Sequence, residues 1–299
     1  MAPKALSALA DRLVDRIEHA GALDGPADRI ADLVGKVISP SWLRGLLSGS
    51  PSGHPAHPPV VTVPIGAFVA ATALDLAGER HAAAARRLTG LGLLSALPAA
   101  ATGASDWAYT SGAERRVGLA HAGANLLALS CYTASWLARR ADRRWLGTGL
   151  ALGGATVLSA GGWLGGHLVY ARGVGVDTTA FLPAAQDWQD AVAEAELLDG
   201  APMQVHVAGV PVLLVRSGEE LYALDDRCTH RGGPLHEGEV ADGCVSCPWH
   251  GSRFRLSDGA VVAGPAVRPQ RQWQVRTRYG MVQLRAVDEV GSLRANPVA

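Results

Sequence analysis

The sequence predicts a protein of two domains, an all-α four-helix transmembrane bundle followed by an all-β domain. Long apolar segments are concentrated between about residues 60 and 171, and short alternating segments separated by turn residues follow Arg172. Two cysteine–histidine pairs lie among the short segments. With 299 residues the chain is long enough for two domains, and its mean hydropathy of +0.13 is high for a soluble protein.

Four segments are nearly free of charged residues: 60–77, 88–104, 117–138 and 146–171. Each has about 17 to 26 residues, the length that an α-helix needs to cross a hydrocarbon core of roughly 30 Å. They lack the regular polar stripe of helices in soluble bundles, and their small residues favour close helix packing in lipid. We therefore expect a multi-pass protein of the cell membrane, with the lipid bilayer as a partner.

The regions on either side differ from these segments. Residues 1–52 carry apolar residues at helical spacing among charged ones, which predicts amphipathic helices lying on the membrane or packing on the protein. No apolar run resembles a cleavable signal peptide. The transmembrane domain is predicted at 53–176, a linker at 177–193, the all-β domain at 194–287 and a tail at 288–299. Residues 48–59, rich in Gly, Pro, His and Ser, are predicted to be a linker into the first membrane helix.

The two cysteine–histidine pairs are Cys228-Thr-His230 and Cys247-Pro-Trp-His250. A [2Fe–2S] cluster with two thiolates on one iron and two imidazoles on the other needs this set of side chains. A zinc site is an alternative, because Cys244 and Cys247 have a common zinc spacing, but it leaves His250 without a role. In the first interpretation Cys244 is an inert residue of a strand.

Both loops closely resemble the cluster-binding loops of Rieske proteins, through Cys228-Thr-His-Arg-Gly-Gly-Pro-Leu235 and Cys247-Pro-Trp-His-Gly-Ser-Arg-Phe254. The resemblance covers about residues 194–287. It implies the Rieske fold, a [2Fe–2S] cluster held by Cys228, His230, Cys247 and His250, and transfer of single electrons.

The same resemblance implies roles for residues around the cluster. Gly264-Pro265-Ala266 resembles the loop that covers the cluster, and Ser252 stands where a serine hydroxyl hydrogen-bonds it. High-potential relatives carry a disulfide and a tyrosine at positions that are Gly233, Trp249 and Phe254 here. We therefore predict a low-to-intermediate reduction potential within the Rieske window of about −150 to +300 mV.

The most direct functional prediction is a membrane-anchored one-electron carrier, with a redox partner protein or a quinone as its partner. The alternatives are an electron-supplying subunit of a separately encoded oxygenase or reductase, and a redox or metal sensor. No catalytic site is visible, because only a dozen residues follow Val287 and a Rieske oxygenase needs a further large domain with a mononuclear iron. The formal net charge of zero argues against a nucleic-acid partner.

A second resemblance concerns the membrane segments. The start at Gly53-His54-Pro-Ala-His57-Pro-Pro59 is similar to that of a family of functionally uncharacterised four-helix bacterial membrane proteins, over about residues 53–176. In an antiparallel four-span topology, one membrane face would carry a row of histidines: His54, His57, His121 and His167. We hypothesise that they bind haem or another metal, the alternative being that they cap helices, bond backbone carbonyls or lie among the lipid headgroups. The arginine distribution leaves the side of the membrane open.

Overall fold

The computed structural model describes residues 2–287, so the predicted tail at 288–299 lies outside the described residues. The chain forms two compact units. One contains the residues up to Pro40 together with Ala56–Gly175, and the other contains Ser41–Pro55 together with the residues from Val176 onward. The chain therefore passes between the units three times. The predicted N-terminal region 1–52 therefore differs from the structure at residues 41–52, which belong to the second unit.

The described α-helices are α1 (Ala2–Glu18), α2 (Asp24–Val37), α3 (Ser41–Ser48), α4 (His57–Leu76), α5 (Ala82–Ala108), α6 (Gly112–Arg140) and α7 (Arg144–Tyr170). All but α3 belong to the first, helical unit. In this unit α4 packs along α5, and α6 packs along α7. Small residues allow the close approach, since a Cβ atom at Gly92 would overlap the Phe68 ring.

Aromatic stacking forms the centre of the helical unit. The Phe68 and Tyr132 rings lie 3.8 Å apart at an interplanar angle of 9°. Both rings are buried, and they pack with Ala151 of α7. This cluster joins the pair α4–α5 to the pair α6–α7.

A buried ion pair ties three of the long helices together. Both Nη atoms of Arg139 donate to the carboxylate of Asp75 at 2.5 Å, and both side chains are shielded from solvent. The Arg139 Nε also donates to Ser135, whose hydroxyl donates to the Gly147 carbonyl at 2.6 Å. The network links the last turns of α4 and α6 to the first turn of α7, and neither charge is left unpaired.

The membrane prediction is supported for part of the helical unit. Among the described residues, two helices are long and apolar enough to cross a membrane by length and composition, His57–Leu76 and Glu79–Ala108. The other two long helices do not meet this criterion, because α6 carries the polar residues His121 and Asn125 within its apolar segment and α7 is rich in glycine. Four spans therefore remain a prediction.

The second unit is built from two antiparallel sheets. Its strands are β1 (Gln189–Ala193), β2 (Pro202–Val207), β3 (Val210–Ser217), β4 (Glu220–Asp225), β5 (Val240–Ala241), β6 (Cys244–Ser246), β7 (Arg253–Arg255), β8 (Val261–Ala263), β9 (Gln272–Arg278) and β10 (Met281–Ala286). The larger sheet has the order β1-β10-β9-β4-β3-β2, and the smaller sheet has the order β5-β6-β7-β8. The prediction of a helical domain followed by an all-β domain is confirmed. One detail differs, because 189–193 was assigned to a linker and instead pairs with β10.

Strand β3 explains how the two sheets share a core. Its apolar run is buried on both faces, as expected for a strand covered on both sides. Val212 and Leu214 face one core with Trp273, whereas Leu213 and Val215 face a second core with Phe254 of the smaller sheet. Cys228, Cys247 and Ala266 also belong to the second core, so the cluster loops emerge from rigid, packed structure.

Candidate metal centre

The two predicted ligand loops have the same local construction. In the first loop the Gly232 amide donates to the Cys228 carbonyl at 2.8 Å, and in the second the Gly251 amide donates to the Cys247 carbonyl at 3.0 Å. Both glycines have positive φ, +79° and +69°, a conformation that other residues adopt at a cost. Each turn brings the histidine back toward the cysteine that precedes it.

The loops bring their cysteine and histidine side chains together. The His230 and His250 rings have centroids 5.1 Å apart and are nearly perpendicular. The Cys228 and Cys247 thiols hydrogen-bond each other, and neither forms a disulfide. Both thiols lie in the core, and the Nδ1 atoms of both imidazoles are shielded from solvent.

The environment favours the protonation state that a metal needs at three of the four side chains, His230, His250 and Cys247. Burial lowers the pKa of His230 to about 3, helped by the nearby charges of His250 and Arg231. Burial and the Arg231 charge lower the pKa of His250 to about 4. The hydrogen bond from Cys228 lowers the pKa of Cys247 to about 6, while the same interaction and burial raise the pKa of Cys228. Neutral imidazole and thiolate are the forms that coordinate metal.

The four side chains are the donor set of a two-iron cluster with mixed cysteine and histidine ligation. Across the described part of the chain, no group of three or more His, Cys, Asp or Glu side chains is arranged to hold one metal ion. A Rieske cluster does not need such a group, because each of its irons takes two protein ligands. Cys244 lies buried in β6 and is not one of the four converging side chains.

Ser252 and the loop at Pro265 lie beside the second ligand loop. The Ser252 hydroxyl is buried and accepts a hydrogen bond from the Ala266 amide at 3.0 Å, and its carbonyl accepts the Cys247 amide at 2.8 Å. Because the hydroxyl accepts from Ala266, its own proton is available to another acceptor. Gly264 and Pro265 are buried next to it.

Trp249 and Gly233 face each other across the two loops. A Cβ atom at Gly233 would lie 2.8 Å from the Cys247 Sγ and 3.0 Å from the Trp249 ring. The indole therefore occupies the space beside the thiol that a side chain at position 233 would enter. About half of Trp249 remains exposed to solvent.

Sequence reasoning missed several residues that hold the first loop. The buried carboxylate of Asp226 accepts the His236 amide at 2.7 Å and contacts the His236 ring and the Gln204 amide. The Thr178 hydroxyl donates to the Cys228 carbonyl at 2.8 Å, although Thr178 was placed in a linker. A signal for Asp226 was present, since an acidic residue at the end of an apolar strand needs a buried partner.

The predicted row of membrane-face histidines is divided between the two units. His54 is exposed and belongs to the β unit. His57 bonds the Ala99 carbonyl at 3.0 Å, and His121 bonds the Gly161 carbonyl at 2.7 Å. His167 contacts Glu18 at 2.8 Å. The contacts of His57 and His121 are those of the carbonyl-bonding alternative, and none of these contacts supports haem or another metal in the helical unit.

Two family models match the chain. Residues 187–277 match the Rieske [2Fe-2S] domain, and residues 53–178 match a family described as a predicted membrane protein, DUF2231. The anthranilate 1,2-dioxygenase ferredoxin subunit of Burkholderia cepacia is 33% identical over 98 residues, which are 33% of this chain and 91% of that protein.

Larger relatives are matched only in part. Apoptosis-inducing factor 3 of Mus musculus is 34% identical over 106 residues, which are 35% of this chain, and the chain spans only 18% of that protein. Among solved structures, the ferredoxin of carbazole 1,9a-dioxygenase from Nocardioides aromaticivorans IC177 is 27% identical, with 33% of this chain and 98% of that chain covered and a TM-score of 0.32.

The Rieske match and the near-complete coverage of a small ferredoxin agree with the paired loops and the two-sheet fold. The match implies a [2Fe–2S] cluster. The chain therefore belongs to the Rieske [2Fe-2S] domain family and joins that domain to an N-terminal DUF2231 predicted membrane protein domain.

Proposed function

We propose that this protein is a membrane-anchored one-electron carrier. In this proposal Cys228 and Cys247 hold one iron of the [2Fe–2S] cluster, and His230 and His250 hold the other. The observation that carries it is the convergence of two core thiols and two imidazoles from two loops of matching construction. When bound, the cluster supplies reversible uptake of one electron.

The cysteine side and the histidine side of the site differ in their burial. The two cysteines are buried in the second core, whereas His230 and His250 are only partly buried. The histidine edge is therefore the side on which a redox partner can approach, and the core on the thiol side excludes water. Trp249 is exposed next to His250, with ring centroids 6.4 Å apart, and offers an aromatic contact to such a partner.

The partner that we propose is a separately encoded oxygenase or reductase. A relative that this chain covers almost completely is, by its name, the ferredoxin subunit of a dioxygenase. A solved relative is described as a complex of reduced oxygenase with oxidised ferredoxin. A quinone is the competing partner, and it would suit a cluster held at a membrane.

The membrane anchor rests on the helical unit. The DUF2231 match and the two apolar helices support it. We propose that α4 and α5 enter the bilayer and that α6 and α7 accompany them as further spans.

The deciding experiment is purification of the full chain in detergent, followed by iron and sulfide analysis and by visible and EPR spectroscopy. We expect two irons per chain and the EPR spectrum of mixed cysteine–histidine ligation after reduction. Cys228→Ser and His250→Ala should abolish this spectrum. Cys244→Ser and Cys131→Ser are matched controls that should keep it, and a spectrum lost in Cys244→Ser but kept in His250→Ala would refute the ligand assignment.

A partner test follows from the same material. The reduced protein is mixed with a quinone analogue or with a Rieske-type oxygenase, and reoxidation is followed by stopped-flow absorbance. Faster reoxidation by the oxygenase than by the quinone is expected. The reverse order would favour the quinone.

A further inference from the structure

The segment 41–53, which we name the cap, belongs to the β unit although it precedes the membrane helices. It consists of α3 and a 3-10 turn at Ser50–Ser52. Helix α3 packs against β8, the strand that leads into the Gly264–Ala266 loop. The cap therefore contacts the structure that adjoins the cluster loops.

The cap is bonded to the loop that fixes Ser252. The Ser50 hydroxyl donates to the Ala266 carbonyl at 2.7 Å, and the Ala266 amide donates to Ser252 at 3.0 Å. A Cβ atom at Gly264 would clash with the Ser50 hydroxyl and would lie 3.3 Å from the Gly45 Cα. The cap and the Gly264–Ala266 loop are therefore packed so closely that only glycine fits at position 264.

Arg44 brings a positive charge to the second ligand loop. A Cβ atom at Gly251, the residue after His250, would lie 3.9 Å from Nη1 of Arg44. The Arg44 Nε is buried and has no hydrogen-bond partner within the described residues. The side chain is only partly exposed, so its charge is screened less than that of a surface arginine.

We infer that the cap is a component of the cluster site, supplied by the chain before the membrane helices, in which Arg44 favours the reduced cluster. This inference rests on the proposed function. Adding an electron makes the cluster more negative, and a nearby cation stabilises the more negative state. Net charge and solvent exposure are among the properties that set the potential of iron–sulfur clusters. Arg44 thus supplies a positive charge beside the cluster loops, and Ser50 holds the cap in place.

The test measures the midpoint potential of the full chain in detergent by EPR-monitored redox titration. Arg44→Gln should shift the midpoint to more negative values, by up to about tenfold in the ratio of reduced to oxidised protein, which is about 59 mV for one electron. Arg44→Lys should restore most of the wild-type value. Arg285→Gln is the control, since Arg285 lies on β10 and bonds Gln274.

A second measurement does not depend on removing a charge. Ser50→Ala should release the cap, accelerate iron loss to a chelator several-fold and shift the midpoint in the same direction as Arg44→Gln. The inference is overturned if Arg44→Gln keeps both the wild-type EPR spectrum and the wild-type midpoint. If Arg44→Gln does not load iron, a Ser50→Ala variant with wild-type midpoint and iron retention overturns it. A wild-type protein without the cluster spectrum would instead refute the proposed function.

Discussion

Gly233 illustrates how a single residue can define the surroundings of the cluster loops. It leaves open the space beside the Cys247 thiol, and the indole of Trp249 fills that space from the other loop. In high-potential relatives a disulfide joins these two positions, so here a packing contact replaces a covalent link. Trp249 is held by van der Waals contact alone at this point, which makes the contact sensitive to small changes in volume.

The first prediction concerns this contact. Gly233→Ala places a methyl group 2.8 Å from the Cys247 Sγ, closer than packed atoms tolerate, so the two loops must separate. We expect a lower iron content and several-fold faster bleaching of the visible spectrum in the presence of a chelator. Gly123→Ala is the matched control, because a methyl group there meets nothing within 4 Å. Wild-type iron retention in Gly233→Ala would contradict the close packing of the two loops at this position.

At the scale of elements, charged contacts attach the N-terminal helices to the long helices. Glu18 at the end of α1 bonds Arg172 and His167. Asp24 of α2 makes a bidentate contact with Arg116 at 2.6 and 2.7 Å. The sequence predicts that these amphipathic helices either lie on the membrane or pack on the protein. Their contacts with the long helices correspond to packing on the protein.

The second prediction is a pH dependence of this attachment. The hydrogen bond from Arg172 holds the pKa of Glu18 below its ordinary value of 4.5. A depressed pKa contributes stability that is present above pH 4.5 and is lost as the pH falls through the folded-state value. We therefore expect the hydrogen-exchange protection factors of α1, which are corrected for the intrinsic pH dependence of exchange, to fall below pH 4.5 before those of α7 do. Glu18→Gln should show faster α1 exchange already at pH 7, and unchanged exchange in that variant would contradict the assignment.

The third prediction concerns the buried pair of Asp75 and Arg139. Arg139→Met leaves a buried carboxylate unpaired, which costs about 3–5 kcal/mol of unfolding free energy. The double variant Asp75→Leu with Arg139→Met should recover most of the loss, because replacing both charges leaves neither one alone. Thermal unfolding in detergent measures both.

A matched control for this pair is Arg115, which bonds the more exposed Asp28 at 2.7 Å. Arg115→Met should change the unfolding free energy by less than about 1 kcal/mol, as is usual for exposed pairs. A loss in Arg115→Met as large as that in Arg139→Met would mean that burial is not the cause.

At the scale of the whole molecule, the fourth prediction is stable membrane attachment. We expect the full chain to remain in the membrane pellet after alkaline carbonate extraction and to be released by detergent. Charged substitutions in α4 separate a span from a surface contact. Val69→Asp, at an exposed position of α4, should reduce recovery in the membrane fraction, whereas Lys36→Asp in α2 should not. Release by carbonate alone would contradict the anchor.

The sequence was sufficient to predict a helical domain followed by an all-β domain, and it also contains the patterns of the proposed ligand loops. Four ligand positions, their glycines and the alternating strands are local patterns, and local patterns can be interpreted without coordinates. The contact of Ser50 with Ala266 could not be found in this way, because the two residues are 216 positions apart and the cap has the Gly, Pro and Ser composition of a linker. The pairing of Asp75 with Arg139 depends on the register between two helices, and the hydropathy pattern of the sequence does not determine that register.

The division of the β unit into two stretches of sequence has a consequence for its synthesis. The cap leaves the ribosome before the long helices α4 to α7, and Ala266 follows Ser50 by 216 residues. At the usual elongation rate this delay is about 10–40 s. The loop that the cap bonds is therefore synthesised only after all the long helices. Until then the cap has no Ala266 carbonyl to bond. A fragment spanning only the Rieske match at 187–277 would lack the cap.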